Sequence, residues 1–553
     1  MRAYCTRLRG FEGLTMGRKY DAIIVGGGHN GLVAAFYLAQ AGLSVLVLER
    51  RSVVGGPAAT VEYFPGYRSA ITNSPGSLEP KIVADMKLES FGLNWIKPSP
   101  AVVMPFPGGR FFVGWRDQKR VHDDIARYFS AKDADAYPKV FEFFNDFARR
   151  LQISVFDPPP SIAEIAARLK TPQDEADFAT IFFGSIQQFL EERLESDEIQ
   201  TAIAMLSMAG AVGPSTPGTP LALMQRPMSL FSSAATGAHD PRNQPMRGST
   251  GLPLGGMGAI VDAMEAALKS LGVDIVTEAA VEKISVSPAG EVTGVVLRDG
   301  REIASSYVLS NLDARITLLD LVDRAFVPDD IRARLGRLPK GGSTFKVVLG
   351  VDQTPHFAHV APEYADAFST CQIRIAPSMA YLEKAHQDYL GKTATDSPRL
   401  LGLVPSFIDP TLAPAGRHLI SFNAWYYPYE LEGTDWSKAK QGAGDRIVDI
   451  LASYMPSLRH SIVERRYFSP VDLEEEYGLI AGNFSHLDMT PAHMFGNRPI
   501  AGMSDYRTPV RGLYLCGSSV WPGGTVTGVP GHNASHQLLR DLSHPNNLSE
   551  GVI

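Results

Sequence analysis

The sequence predicts a two-lobed α/β protein: a parallel-sheet domain assembled from separated stretches of chain, with a mixed lobe containing a helical subdomain inserted between them. Three observations carry that prediction. Residues 20–48 read as strand, helix and strand in the space of about thirty residues. From about 95 to 247 the chain turns rich in Phe and Pro on long amphipathic stretches. Residues 512–539 then return to a strand, a glycine-rich loop and a helix. A chain of 553 residues is longer than single cores usually grow, so two or three domains are expected.

Taken in order, YDAIIVG at 20–26 is a short β-branched apolar run of the kind buried in a parallel sheet. Residues 31–41 follow with Leu32, Ala35, Phe36 and Leu38 near one helical face, and Gly42 stands just past the last turn as a stop. SVLVL at 44–48 is the second strand. Amphipathic stretches at 161–169 and 173–194 mark 96–249 as mostly helical, with a Met-rich run from Met205 to Met228 around the loop-forming GPSTPGTP at 213–220. GGMG at 255–258 opens a helix over 259–271. Strands follow at 273–276, 281–286, 292–297 and 303–310, with a turn at Asp299 and Gly300. Residues 343–351 begin a strand-rich region that runs to about 468. The resulting boundaries are 1–17 for an N-terminal extension, and 18–95, 250–335 and 470–545 for the discontinuous parallel-sheet domain. The inserted lobe takes 96–249 as its helical part and 336–469 as its strand-rich part.

GGGHNG at 26–31 is a GxGxxG in the context it requires, after a strand and opening a helix. Gly26 permits the tight turn, Gly28 lets the backbone approach a pyrophosphate, and Gly31 lets helix and strand pack closely. The helix N-terminus offers partial positive charge to the phosphates. Glu49 closes the second strand about twenty residues on, where a carboxylate accepts from ribose hydroxyls and repels a 2′-phosphate. A dinucleotide is therefore the expected ligand. Behind Glu49 come Arg50, Arg51 and the pair Gly55 and Gly56. An NAD domain has no need of that basic turn; FAD, whose longer body runs past this loop toward an active site, does. Near the C-terminus, LYLCG at 513–517 delivers Gly517, and Pro522, Gly523 and Gly524 form a side-chain-poor loop. GVPG at 528–531 then starts a helix with Pro530 in its first turn. Such an N-terminus points free N–H groups at a flavin's pyrimidine end and favours its anionic reduced form.

Six stretches carry a resemblance to the phytoene-desaturase-like flavoproteins, in that family's order and across nearly the whole chain. They are GGGHNGLVAA (26–35), GGPAATVEYFPGYRS (55–69), PLGGMGAIVDAM (253–264), VLSNLDA (308–314), DLEEEYGLIAGNFSH (472–486) and LYLCGSSVWPGGTVTGVPGHNASH (513–536). The resemblance implies a Rossmann-like FAD-binding domain and a non-covalent FAD. Gly26, Gly28 and Gly31 would line the ADP pyrophosphate, Glu49 the adenosine ribose, and the Val281 backbone the adenine. Gly55 and Gly56 would pass close to the flavin, and Gly517, Gly524, Val526 and Thr527 would lie at the isoalloxazine. One departure stands out: carotenoid desaturases commonly follow the glycine pair with Arg, and this chain has Pro57, which sets it apart from a carotenoid substrate.

The activity this implies is that of an FAD-dependent oxidoreductase, a dehydrogenase or desaturase acting on a hydrophobic small molecule. Redox-neutral isomerisation, or a low-turnover flavoprotein with an interaction or regulatory role, are the alternatives. With one dinucleotide motif there is no second domain for NAD(P)H, so reduced flavin would pass its electrons to oxygen, a quinone or another carrier. His29, His486, His493, His532 and His536 all fall in or near the motifs; His486 and His493, on the approach to the C-terminal loop, are the candidate acid–base residues. The aromatics Phe422, Trp425, Tyr426, Tyr427 and Tyr429 are candidate walls of an apolar pocket, with core packing the competing role.

Other classes are disfavoured. A net charge of −7 without a Lys/Arg-rich run gives no footprint for nucleic acid. Cys5, Cys371 and Cys516 are too sparse for a disulfide framework or structural zinc, and no metal-ligand spacing appears. Asp472, Glu474, Glu475 and Glu476 form an acidic run read as solvated or capping. No apolar run reaches the roughly 20 residues of a membrane span. A cytoplasmic protein is expected, touching a membrane peripherally through 173–230, with Phe182, Phe183 and Phe189, or else packing that stretch on the flavin domain. Arg2, Arg7, Arg9, Arg18 and Lys19 against Glu12 suit a mitochondrial transit peptide, or an upstream extension with Met16 as the working start. The sequence does not specify an oligomeric state.

Overall fold

The apolar run at 20–25 forms β1 (Tyr20–Val25), with Ala22, Ile23 and Ile24 fully buried, as a strand covered on both faces requires. The structure is a computed structural model and describes residues 19–73, 77–208, 210–236, 251–360, 364, 368 and 370–544; the extension expected at 1–17 lies outside these. Helix α1 (His29–Gln40) and strand β2 (Val45–Leu48) complete the first unit. Much later in the chain come α2 (Gly258–Ser270), β3 (Asp274–Val276), β4 (Val281–Val286), β5 (Val292–Leu297) and β6 (Glu302–Ser310). At the C-terminal end lie β7 (Leu513–Leu515) and α3 (Val529–Ser543).

These segments share one sheet. Its parallel part runs β3-β2-β1-β6-β7, with Val25 opposite both Leu48 and Ser310, Leu48 opposite Val276, and Ser310 opposite Leu515. Five strands thus end level along one edge, where open α/β sheets bind their ligands. The antiparallel strands β4 and β5 extend from the first residues of β6. Helices α1 and α3 pack together, so closely that a Cβ on Gly531 would lie 2.0 Å from the Asn30 carbonyl oxygen.

A second seven-stranded sheet forms the floor of the other lobe. Its order is Ile462–Phe468, Thr344–Val351, His418–Trp425, Arg399–Leu403, Gln372–Ile375, Val102–Phe106 and Arg110–Gly114. The last two strands come from the stretch read as helical. They are a hairpin, apolar on both sides of the Pro107-Gly108-Gly109 turn, and Val102 and Val103 pair in parallel with Gln372 and Ile373. The rest of 96–236 is helical, as expected, although 173–194 is two helices rather than one. Pro172–Phe182 ends before Gly184, and Ser185 starts Ile186–Glu191 by accepting from the Gln188 N–H. Phe189 is buried against Phe143 and Phe144, and Phe182 stacks on Phe178 and Phe495. Phe183 alone of the three is exposed, at 68%. Two of the three phenylalanines expected at a membrane surface are therefore core residues. Among the described residues, no helix is long and apolar enough to cross a membrane.

Candidate active site

The carboxyl ends of β1, β2 and β6 open onto a cavity of about 530 Å³ that continues to the face of the second sheet. Gly26, at φ +95°, turns the chain out of β1, a conformation that favours glycine. Helix α1 then begins at Gly28 with no side-chain cap and no acid in its first turn. Gly28, His29 and Asn30 line the cavity, so uncapped N–H groups stand at its wall, as a phosphate requires. Glu49 is buried. One oxygen accepts from the Gly27 N–H at 2.9 Å, the other from the Arg51 N–H at 2.8 Å. The carboxylate is thereby fixed at the cavity edge with lone pairs left for hydroxyls.

Of the residues implied for FAD, Gly26, Gly28, Glu49, Gly56, Val281 and Val526 line the cavity. Gly31, Gly55, Gly517, Gly524 and Thr527 are not on its wall but in the layer that shapes it. A Cβ on Gly31 would stand 2.5 Å from the Gly26 carbonyl oxygen, and one on Gly517 2.4 Å from that of Asn311. Gly55, at φ +110°, donates to the Gly27 carbonyl and packs on Val261 of α2. Gly524 leaves room for Ser485. The Thr527 hydroxyl accepts from the Val529 N–H at the start of α3. A Cβ on Gly28 would also meet the Asn311 amide nitrogen at 2.5 Å, so the missing side chain leaves room for the residue that follows β6 as well.

The two candidate histidines part company. His486 lines the cavity, with Nδ1 3.0 Å from the Ser519 hydroxyl and 4.0 Å from Asp313 Oδ2. Burial holds its pKa down at about 4, so its ring is neutral near pH 7, able to hydrogen-bond but not to serve as an acid. His493 is not on the wall; its Nδ1 faces Thr490 Oγ1 at 3.3 Å. The acidic run caps a helix, Pro470–Tyr477, through a capping box of Ser469 and Asp472. Of the candidate wall aromatics only Trp425 reaches the cavity. Strand alternation sends Phe422 to the opposite face, Tyr426 bonds the Val212 carbonyl, and Tyr427 packs on Phe345 and Trp436.

Several residues that shape the site were not among those expected from the sequence. Arg498 is fully buried and donates to the carbonyls of Ser485, Leu487, His493 and Ser518, tying the 485–493 segment to the loop after β7. Asp313 and Arg315 form a buried ion pair at 2.8 Å beside His486. On the second sheet, Arg374, Leu401 and Asn423 lie opposite one another on three adjacent strands and line the cavity together with Arg399 and Trp425. The available signal was a lone arginine in each of two short strands, QIRI and RLLGL.

An uncapped helix N-terminus, a fixed acid at the end of β2 and a long cavity leading to a second sheet fit FAD. The chain matches the family described as flavin containing amine oxidoreductase over residues 31–531. It belongs to that family. It is an FAD-dependent oxidoreductase. Rat pyridine nucleotide-disulfide oxidoreductase domain-containing protein 2 is 32% identical, over 95% of this chain and 94% of its own. Phytoene desaturase (lycopene-forming) of Pantoea ananas is 24% identical, over 92% and 96% respectively, in keeping with the motif resemblance. The solved structure of cyclohexylamine oxidase from Brevibacterium oxydans has the same fold, with a TM-score of 0.55 at 15% identity, covering 95% of this chain and all of that one.

Proposed function

We propose that the protein oxidises a largely apolar small molecule in the inner half of this cavity, as a dehydrogenase or desaturase, and that its electrons leave to oxygen, a quinone or another carrier. Continuity of the cavity carries the reading: the dinucleotide half opens directly into a half walled by Met205, Leu206, Met208, Leu401, Trp425 and Met489. Such walls exclude water and, being Met-rich, adapt to irregular apolar shapes. Bound FAD supplies the two-electron acceptor. The chain's own polar groups nearby are quiet: His486 is neutral, and Asp313 is paired with Arg315. The name of the Pantoea relative, a phytoene desaturase, supports a reaction that removes hydrogen from an apolar molecule.

The test is anaerobic mixing of the flavin-loaded protein with a panel of apolar alkenes, alcohols and acids while the visible flavin band is followed. The expected result is bleaching by some members, with products two hydrogens lighter by mass spectrometry. Full flavin occupancy without bleaching by any member would overturn the reading, and a product of unchanged mass would replace it with isomerisation.

A further inference from the structure

The inner half of the cavity joins its apolar wall to a polar edge on the second sheet, where Asn423, Arg374 and Arg399 stand beside Leu401 and Trp425. Arg399 is 5% exposed, stacked 4.4 Å from the centroid of Trp425, and its Nη1 donates to the Met208 carbonyl at 2.5 Å. Its Nε is buried with no acceptor, and Nη2 has none among the described residues. Arg374 is its diagonal neighbour on the adjacent strand and lines the same wall. The acids nearby are occupied. Glu49 accepts from Gly27 and Arg51, and Asp313 is paired with Arg315. Asp488 accepts from the Ala211 N–H and the Asn483 amide; its charge acts on Arg399 from beyond ion-pair distance and leaves the Nε–Nη2 edge without an acceptor among the described residues. A guanidinium taken out of water calls for a compensating anion.

We infer that the substrate is an amphipathic acid whose carboxylate docks on the Nε–Nη2 edge of Arg399. The inference rests on the apolar-substrate reading and narrows it. The free edge of Arg399 presents two parallel N–H groups, the match for the two oxygens of a carboxylate. The cofactor's phosphates do not fill this role, because their site is the start of α1 on the other sheet. A cationic amine is a poor occupant: it would meet the Arg399 guanidinium at the edge that has no acceptor. Trp425, Leu401 and the methionines would take the apolar body, so that the acid fixes which end of the molecule points away from the flavin.

The experiment uses the full-length, FAD-loaded protein and measures binding by perturbation of the flavin spectrum and by equilibrium dialysis. The probes are decanoate, dodecanoate and 2-naphthoate, each against its matched alcohol. The acids are expected to bind about tenfold or more tighter than the alcohols, the scale of one charge-assisted pair. Arg399→Met should erase that preference, and Arg399→Lys should restore only part of it, lacking the planar fork. Equal binding of acids and alcohols by the wild type, no binding of any acid, or a preference unchanged in Arg399→Met would overturn the inference. Should Arg399→Met fail to load flavin, the wild-type comparison and Arg399→Lys still decide. The two readings separate cleanly: bleaching by neutral apolar compounds without acid preference sinks the carboxylate anchor alone. Acid preference without bleaching by any compound sinks the dehydrogenase reading and keeps the anchor.

Discussion

At the scale of single residues, Glu49 does two jobs with one carboxylate. It satisfies the Gly27 and Arg51 N–H groups and stays available at the cavity edge. Glu49→Ala should therefore orphan a buried N–H, at a cost of about 1–3 kcal/mol, and remove a ribose acceptor. FAD affinity is expected to fall by about tenfold or more, and Glu49→Gln, which keeps one acceptor, should lie between. The ratio of flavin to protein absorbance after dialysis checks this, and full occupancy in the alanine variant would refute the ribose assignment. His486 makes a different point. A ring held neutral down to about pH 4 should impose no titration on the reductive rate between pH 6 and 8. A pH–rate profile that loses a step in that range on His486→Gln would show otherwise.

Elements meet at the site through contacts too close for ordinary side chains. The start of α1 lies against the exit of β1 with a 2.5 Å gap between the position of a Gly31 Cβ and the Gly26 carbonyl. Gly31→Ala must push helix from strand. A loss of about 2–4 kcal/mol is expected, read as a lower melting temperature together with poor flavin loading. The C-terminal side depends on Arg498, which ties four carbonyls on two loops and makes no ion pair among the described residues. Arg498→Met should free both loops and strip flavin, whereas Arg498→Lys should rescue only partly, since an ammonium cannot span that set of acceptors. Equal flavin content in all three proteins would show the loops to be held by something else.

For the whole molecule, buried histidines set an acid limit. Burial keeps His29 and His486 down at about 4 and His532 at about 3, against an ordinary 6.5. Between those values the unfolded chain binds protons that the folded one refuses, so stability is full above about pH 6.5 and falls as pH drops toward 4. Each residue contributes up to about 3 kcal/mol to that loss. Melting temperature should hold between pH 7 and 8 and decline steadily below 6.5, with His532→Gln softening the slope; a flat profile down to pH 4.5 would contradict the burial. The same large-scale geometry makes the cavity, because it lies between two sheets contributed by interleaved stretches of chain.

The β1–α1–β2 unit, its glycines and Glu49 were legible in the sequence because their signals are local. A strand-helix-strand pattern and a turn that needs φ above zero are written within thirty residues or so. The C-terminal glycine loop and the helix after it were legible for the same reason. Other features came only from tertiary structure. Whether Phe422 or its neighbour Asn423 faces the cavity depends on the register of a strand against two partners, and a shift of one residue would exchange them. The hairpin of Val102–Phe106 and Arg110–Gly114 joins a sheet whose other strands begin more than two hundred residues later, a pairing no local pattern encodes. Arg374 and Arg399 become neighbours only because two antiparallel strands align Arg374 with Leu401. Local periodicity and turn chemistry name the cofactor; the meeting of distant strands decides what sits opposite it.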